Sequence, residues 1–360
     1  MTSRIKRRQA IKLAAATGVA ALAAPTILIP KSWAEGKSIF VGIYFAQQGE
    51  YVRKHVVPKF EADYKCKVYT TEGFTLTQIA ALRATRTNPK YSAMFMDDIG
   101  VDLAKGEGLI DPLPVDKMPN LSRLYKRFMF SDGYGAAFAI SAAGMAYNPT
   151  SGVTIKSYAD LWEPRFKDRI LMVTPKFTQS IYLLVVAASL ATGKPWAEAQ
   201  FDLNAAWDRM KALKPNIQTI YEAPATVMMV AQGQADLAGI EYSKQVYPYT
   251  VSGAPISMTF PKEGTFAGVN CLTLPKNAPE PELGAAFLNR MLDPEVQQGM
   301  AAATLTAASI GGLNFAPDIA KYIAYPEAKM DEMRMFTCDW SKINPIRPGL
   351  VEKYNQIFGA

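Results

Sequence analysis

The chain has 360 residues, a formal net charge of +7 and three cysteines. Six basic and no acidic residues lie in the first 34 positions, so the other residues together carry a net charge close to +1. The nearly neutral remainder contains no basic run, so nucleic acid is not an expected partner, and its length predicts two lobes rather than one core.

The first 34 residues predict an export signal. A basic head, an Ala-rich apolar run over residues 13–29 and the closing Ser32-Trp33-Ala34 follow one another in the order of a secretory signal. The basic head consists of Arg4, Lys6, Arg7, Arg8 and Lys12. We therefore predict cleavage after Ala34 and a mature protein that folds outside the cytoplasm.

The basic head also contains a pair of arginines with a following lysine. Residues 7–12, Arg-Arg-Gln-Ala-Ile-Lys, are similar to the twin-arginine signature Arg-Arg-x-Phe-Leu-Lys, with Ala10 in the place of Phe. An ordinary secretory signal with a basic head stays open as the alternative. Gly18, Pro25 and Pro30 interrupt the apolar run, which argues against a membrane anchor.

Beyond the signal, apolar runs alternate with segments of helical periodicity. In the first part of the chain we predict strands at 38–44, 67–70 and 92–96, helices at 51–64, 76–86 and 101–105, and a polar turn at 47–49. Further on we predict a long extended segment at 134–148, strands at 170–173, 235–241 and 270–274, and helices at 156–163, 178–192, 204–213, 223–231, 281–291 and 294–303. The alternation predicts an α/β fold with crossover helices.

Histidine and cysteine usage argues against metal and redox chemistry. His55 is the single histidine of the sequence, which excludes zinc motifs built on histidine pairs. Cys66, Cys271 and Cys338 are too widely spaced for a metal signature and allow at most one disulfide. We expect Cys66 and Cys271 to be buried thiols, and we predict no cofactor, no metal site and no catalytic site.

An ordered set of sequence blocks carries a family resemblance. The blocks are residues 134–138 with 144–149, 157–167, 214–217, 232–237, 261–266 with 274–279, and 285–299. In this order they resemble the bacterial extracellular solute-binding proteins of family 1, and within them the branch of polyamine-binding and ferric-iron-binding periplasmic proteins. The resemblance spans essentially the whole mature chain.

The resemblance implies a two-lobed α/β fold of the periplasmic-binding-protein type II, with a ligand cleft between the lobes and a hinge of crossing strands. It places lobe 1 at 35–140 plus 271–316 and lobe 2 at 144–268 plus 320–360. It also implies a monomeric, non-enzymatic periplasmic component of an ABC importer that delivers a small molecule to an inner-membrane permease with its ATPase. A purely sensory role stays open, as does a secreted hydrolase using paired carboxylates such as Asp97 and Glu241.

Candidate ligand residues follow from the rule that ligands of open α/β sheets bind beyond the carboxyl ends of strands. The rule and the corresponding loops of the family select Tyr44, Phe45, Gln47, Asp97, Asp98, Phe177, Thr178, Gln179, Glu241, Tyr242 and Asn270. Capping of the following helices stays open as an alternative role for Asp97, Asp98 and Thr178. Glu241 ends an apolar strand, where a carboxylate is costly, so we favour ligand contact there.

The chain departs from the resembling branches at their ligand positions. Polyamine binders have an acidic residue where Asn270 stands, and tryptophans near Phe45 and Phe266. Iron binders have adjacent tyrosines where this chain has Glu241-Tyr242-Ser243. A linear polyamine and ferric iron are therefore both poor fits.

We expect a small polar organic solute that bears an amine and is polyamine-like or amino-acid-like. Glu241, with Asp97 or Asp98, is the predicted partner of the amine. A ferric-iron, phosphonate or organic-anion binder of the same fold stays open as the alternative, with Lys176 as the partner of an anion.

Overall fold

The computed structural model describes residues 36–222 and 225–359, so the predicted signal and its cleavage position lie outside the described residues. Strands of the described residues join into one mixed sheet. They are β1 Ser38–Ile43, β2 Lys67–Glu72, β3 Ala93–Asp97, β4 Ile110–Asp111, β5 Met129–Phe130, β6 Gly135–Tyr147, β7 Ile170–Val173, β8 Ile217–Tyr221, β9 Leu237–Tyr242, β10 Ser257–Thr259, β11 Thr265–Pro275 and β12 Met335–Phe336.

Helices cover both faces of this sheet. The α-helices are α1 Ala46–Tyr51, α2 Val57–Tyr64, α3 Thr75–Ala84, α4 Asp98–Gly106, α5 Thr178–Thr192, α6 Trp196–Ala199, α7 Trp207–Leu213, α8 Ala225–Ala231, α9 Ser243–Val251, α10 Pro281–Met291, α11 Pro294–Thr304, α12 Pro317–Ala320, α13 Glu327–Glu332, α14 Trp340–Ile343 and α15 Arg347–Phe358. A π-helical turn at Val52–Val56 joins α1 to α2. Short 3-10 turns are Val115–Lys117, Pro119–Arg123, Lys126–Phe128, Ser131–Gly133, Pro149–Ser151, Tyr158–Trp162, Pro164–Phe166, Leu203–Ala206 and Lys214–Asn216.

The main strand order is β2-β1-β3-β11-β6-β9-β7-β8. Strands β2, β1 and β3 are parallel, as are β9, β7 and β8, and each group forms the sheet of one lobe. Strands β6 and β11 lie between the groups and pair antiparallel with each other from Phe266–Ala143 to Leu272–Ala136. Both central strands are buried almost throughout, which explains why their sequences are apolar runs without alternation.

Buried side chains form three clusters, of which the two largest each contain a stack of aromatic rings. Around the first lobe, Phe95 stacks on Phe287 and Phe138 within one core. In the second lobe, Phe266 stacks on Tyr182 and Trp196 beneath the apolar helix α5. Buried residues at 323–335 pack with the first core and those at 338–354 with the second, so the chain passes between the lobes again near β12. The exact lobe boundaries stay a prediction.

The predicted polar turn at 47–49 is wrong, because these residues lie inside α1. The chain turns one residue earlier, where Ala46 has φ +58°, and Gly49 then packs so closely on Tyr44 that a Cβ would lie 2.0 Å from the Tyr44 carbonyl oxygen. Pro58 does not break the helix, because it occupies the first turn of α2, where its missing N–H is not needed.

Within the described residues, all three cysteines are free and buried, as expected for Cys66 and Cys271. No group of three or more histidine, cysteine or carboxylate side chains in this part of the chain is placed to hold a metal ion. The helices of the same residues are also too short or too polar to cross a bilayer.

Candidate functional site

The candidate site lies where the carboxyl ends of β1 and β3 approach the crossing strand β11. Tyr44 directly follows β1, and Asp97 ends β3. Asp97 is the register partner of Asn270 on β11, and the pairing of β11 with β6 shifts by one residue at Asn270 and Cys271. The antiparallel register thus brings a residue of the first lobe and a residue of the hinge side by side.

Asp97 accepts three side-chain hydrogen bonds. Its Oδ1 accepts from the Tyr44 hydroxyl at 2.7 Å and from Asn270 Nδ2 at 2.7 Å, and its Oδ2 accepts from Thr75 Oγ1 at 2.8 Å. Burial and the Asp97 charge raise the pKa of Tyr44 well above its ordinary value, so the phenol stays a donor. The Asp97 carboxylate is therefore held in place by neutral donors of the protein.

Asn270 continues this network toward the second lobe. Its Oδ1 accepts from Gln48 Nε2 at 2.9 Å and from Lys244 Nζ at 2.9 Å. Lys244 belongs to α9, and its Nζ lies 5.8 Å from the ring centre of Tyr44 and 5.7 Å from that of Tyr242. A cation of the second lobe therefore reaches the hinge strand between two aromatic rings, one from each lobe.

Asp98 is the first residue of α4, and its carboxyl group has other partners than that of Asp97. Asp98 is 2% exposed, and its Oδ1 accepts only from the Ile99 N–H, at 3.0 Å. The Trp340 indole lies near enough to favour the charged carboxylate, yet Asp98 Oδ2 and Trp340 Nε1 do not reach hydrogen-bond geometry. Burial raises the pKa of Asp98 to about 8, and the Asp97 charge adds to the shift.

Glu241 lies on β9 opposite Gly144 of β6, and its carboxyl group contacts α8. It is 1% exposed, and its Oε1 accepts from Thr226 Oγ1 at 2.6 Å, while Oε2 has no partner among the described residues. Burial raises the pKa of Glu241 to about 7 against the opposing effect of the Thr226 hydrogen bond. The structure does not join Glu241 to Asp97 or Asp98 by any hydrogen bond within the described residues.

Aromatic rings from both lobes meet beside these groups. Phe45 and Phe74 of the first lobe pack edge to face at 4.2 Å between ring centres, and Phe74 lies 6.2 Å from Phe177 of the second lobe. Phe45 is 39% exposed and Phe74 is 51% exposed. We call these three residues the aromatic lip, because they form an exposed apolar contact between the lobes.

The remaining predicted residues occupy the second lobe or the surface. Gln47 is exposed on α1. Phe177, not Thr178, is the N-cap of α5, so the capping role considered for Thr178 is wrong. Gln179 is buried, and its Nε2 donates to Gln245 at 3.4 Å. Tyr242 contacts Tyr182 through their hydroxyls at 3.4 Å and so packs beneath the crossing strands.

Sequence reasoning missed four side chains of this region: Gln48, Phe74, Thr75 and Lys244. The first three follow strand ends, in segments predicted as a turn or as the approach to a helix. Lys244 stands two residues beyond the end of β9, where the strand-end rule would have found it if α9 had been recognised. Pro248 inside α9 hid that helix from the sequence pattern.

The network connects side chains of both lobes. Lys244 links the lobes at the hinge, and Asn344 Nδ2 donates to the Ile99 carbonyl at 2.9 Å behind it. Asp97 accepts hydrogen bonds from three protein side chains, whereas Glu241 accepts one from Thr226. Polar groups from both lobes thus converge on one strand.

The family model and the curated relatives that match this chain are all solute-binding proteins. A family model described as bacterial extracellular solute-binding protein matches residues 91–334. The spermidine/putrescine-binding periplasmic protein of Escherichia coli (strain K12) is 27% identical over 274 residues, which cover 72% of this chain and 75% of that protein. Spermidine/putrescine-binding periplasmic protein 1 of Haemophilus influenzae is 25% identical over 263 residues, covering 69% of this chain and 70% of that protein.

Solved structures confirm the predicted fold class. An ABC transporter structure from Clostridium perfringens ATCC 13124 aligns with a TM-score of 0.76 at 20% identity, covering 89% of this chain and 99% of that one. The periplasmic binding protein AfuA from Actinobacillus pleuropneumoniae aligns with a TM-score of 0.71 at 18% identity, covering 90% and 99%. The predicted two-lobed α/β fold of the periplasmic-binding-protein type is therefore confirmed.

Proposed function

The chain belongs to the bacterial extracellular solute-binding proteins, and from that premise we propose that it captures a small amine-bearing polar solute between its lobes for an ABC importer. Its relatives are periplasmic binding proteins, so the periplasm is its place of action. The partners of such a protein are a small molecule and a membrane permease. We propose that this chain acts as a monomer and has no enzymatic activity of its own.

One observation carries the proposal of a binding site. A continuous hydrogen-bonded chain runs from Tyr44 through Asp97 and Asn270 to Lys244, from the first lobe across the hinge to the second. A solute that contacts both ends of this chain would stabilise the closed arrangement of the lobes, which is how hinge proteins convert binding into a change of shape.

Two buried carboxyl groups support the proposal that the solute bears an amine. Asp98 Oδ2 and Glu241 Oε2 each lack a partner among the described residues, and burial raises the pKa of both groups. A carboxylate withdrawn from water in this way gains most from a cationic partner. The relatives are named as spermidine/putrescine-binding proteins, and spermidine and putrescine are cationic amines, which favours an amine over ferric iron.

A thermal-shift panel followed by scattering tests the proposal. Diamines, amino acids, aminophosphonates, dicarboxylates and ferric citrate are screened against the mature protein, and a solute at about 100 times its Kd is expected to add roughly 2.7 kcal/mol of stability. The stabilising solute should also make the protein more compact in small-angle scattering. If every class leaves both the melting temperature and the scattering profile unchanged, the binding function is rejected.

A further inference from the structure

Lys244 is a cation of the protein inside the proposed cleft. It is only partly exposed, and its ammonium group lies against Asn270 Oδ1 and between the rings of Tyr44 and Tyr242. Burial lowers the pKa of Lys244, and the Asp97 charge opposes that shift. The side chain therefore occupies a place that is costly for a charge without a counter-ion.

The protein itself offers Lys244 little compensation. Asn270 Oδ1 is its one hydrogen-bond acceptor within residues 36–222 and 225–359, and no carboxylate of these residues forms an ion pair with it. An ammonium group has three N–H donors, so two remain for another acceptor. Asp97, the carboxylate that affects its pKa, has its oxygens engaged by Tyr44, Thr75 and Asn270.

Resting on the proposed binding function, we propose that Lys244 binds an anionic group of the solute, so that the solute is amphoteric rather than a linear polyamine. The anionic group accepts hydrogen bonds from the two N–H groups of Lys244 that have no acceptor among the described residues. Lys244 also acts as a repulsive element, because a polycation in the same cleft would meet a second positive charge.

Three probes of matched length test the charge requirement directly. Putrescine carries two ammonium groups, 4-aminobutyrate carries one ammonium and one carboxylate, and succinate carries two carboxylates. We expect calorimetry to show putrescine binding to the parent no tighter than a Kd of ~1 mM, which is the millimolar range of weak non-specific association. Tight putrescine binding by the parent protein overturns the proposal while leaving the solute-binding function intact.

A pair of variants tests the repulsion whether or not 4-aminobutyrate is the natural solute. Lys244→Met removes the charge but keeps the length of the side chain, and Asn270→Asp adds a carboxylate beside it. We expect the double variant to bind putrescine at least tenfold tighter than the parent does. If circular dichroism shows that the double variant is unfolded, Lys244→Met alone must show that gain, and absence of a gain in a folded variant overturns the proposal.

The anion contact has its own control. Any anion-bearing probe that binds the parent should lose at least tenfold in affinity in Lys244→Met and should recover most of it in Lys244→Arg. Lys176→Met should leave that affinity unchanged, because Lys176 is exposed and its Nζ pairs with Glu222 at 2.8 Å. If Lys176→Met lowers the affinity for the probe and Lys244→Met does not, the anion binds at Lys176, and the assignment of the anion to Lys244 is refuted.

Discussion

Glu241 gives the sharpest stability prediction, because its carboxyl group is buried and accepts a single hydrogen bond from the residues that the structure describes, donated by Thr226. Its pKa rises from 4.5 to about 7 on folding. The folded state therefore holds the proton more tightly than the unfolded chain does. Below pH 4.5 both states are protonated, and the group does not affect the folding equilibrium.

Ionisation of Glu241 destabilises the folded state increasingly as the pH rises from 4.5 to about 7, and the destabilisation is complete above that range. Each pKa unit corresponds to about 1.4 kcal/mol, so the ionised carboxylate destabilises the ligand-free fold by about 3 kcal/mol at higher pH. Glu241→Gln carries no charge at any pH. The stability of this variant relative to the parent should therefore increase by about 3 kcal/mol between pH ~4.5 and ~8.5.

Urea unfolding of the parent and of Glu241→Gln across this pH range measures the difference. Contributions from other titrating groups, including Asp98, are common to both proteins and cancel. Glu352→Gln is the matched control for the loss of an exposed carboxyl group, because Glu352 is exposed on α15. If the stability difference between Glu241→Gln and the parent is constant across the pH range, the ionised Glu241 carboxylate does not destabilise the fold, and the reasoning is refuted.

Three further outcomes are expected. Glu241→Gln should weaken calorimetric binding of any amine that stabilises the parent by about a hundredfold, and unchanged affinity would mean that Glu241 is scaffold. Replacing Arg7 and Arg8 together by Lys should block export, whereas normal periplasmic accumulation would exclude the twin-arginine route. Gly268→Ala should lower the unfolding free energy by about 1–3 kcal/mol in denaturant titration, because its Cβ would lie 2.2 Å from the Tyr242 ring; an unchanged value would contradict that packing.

The fold followed from the sequence because most of its elements have strong local signals. The helix Thr178–Thr192 is uniformly apolar and ends at Gly193 in the left-handed conformation, so both its existence and its end could be predicted. The crossing strands were predictable as long apolar segments, although β11 extends further at its start than the predicted strand at 270–274. The two-residue strand β12 is too short for a pattern, and β8 is only partly buried and lacks an apolar run.

The site could be predicted only in part. The strand-end rule found Tyr44 and Asp97, and the return crossing of the resembling family pointed to Asn270; the structure brings the three into one network. It did not separate Asp97 from Asp98, because the predicted strand ended at residue 96 and the predicted helix began at residue 101, whereas Asp97 ends β3 and Asp98 begins α4. It also missed Lys244, whose helix contains a proline and whose position depends on how the two lobes meet.

The register of the crossing strands has a mechanical consequence. Asn270 lies on β11, one of the two crossing strands between the lobes, whereas Phe74 and Phe177 of the aromatic lip belong to different lobes. If the lobes rotate about the crossing strands, as proposed, the Asn270 amide moves little, and the contact between Phe74 and Phe177 opens and closes with the rotation. The aromatic lip is then the contact whose geometry reports the position of the two lobes.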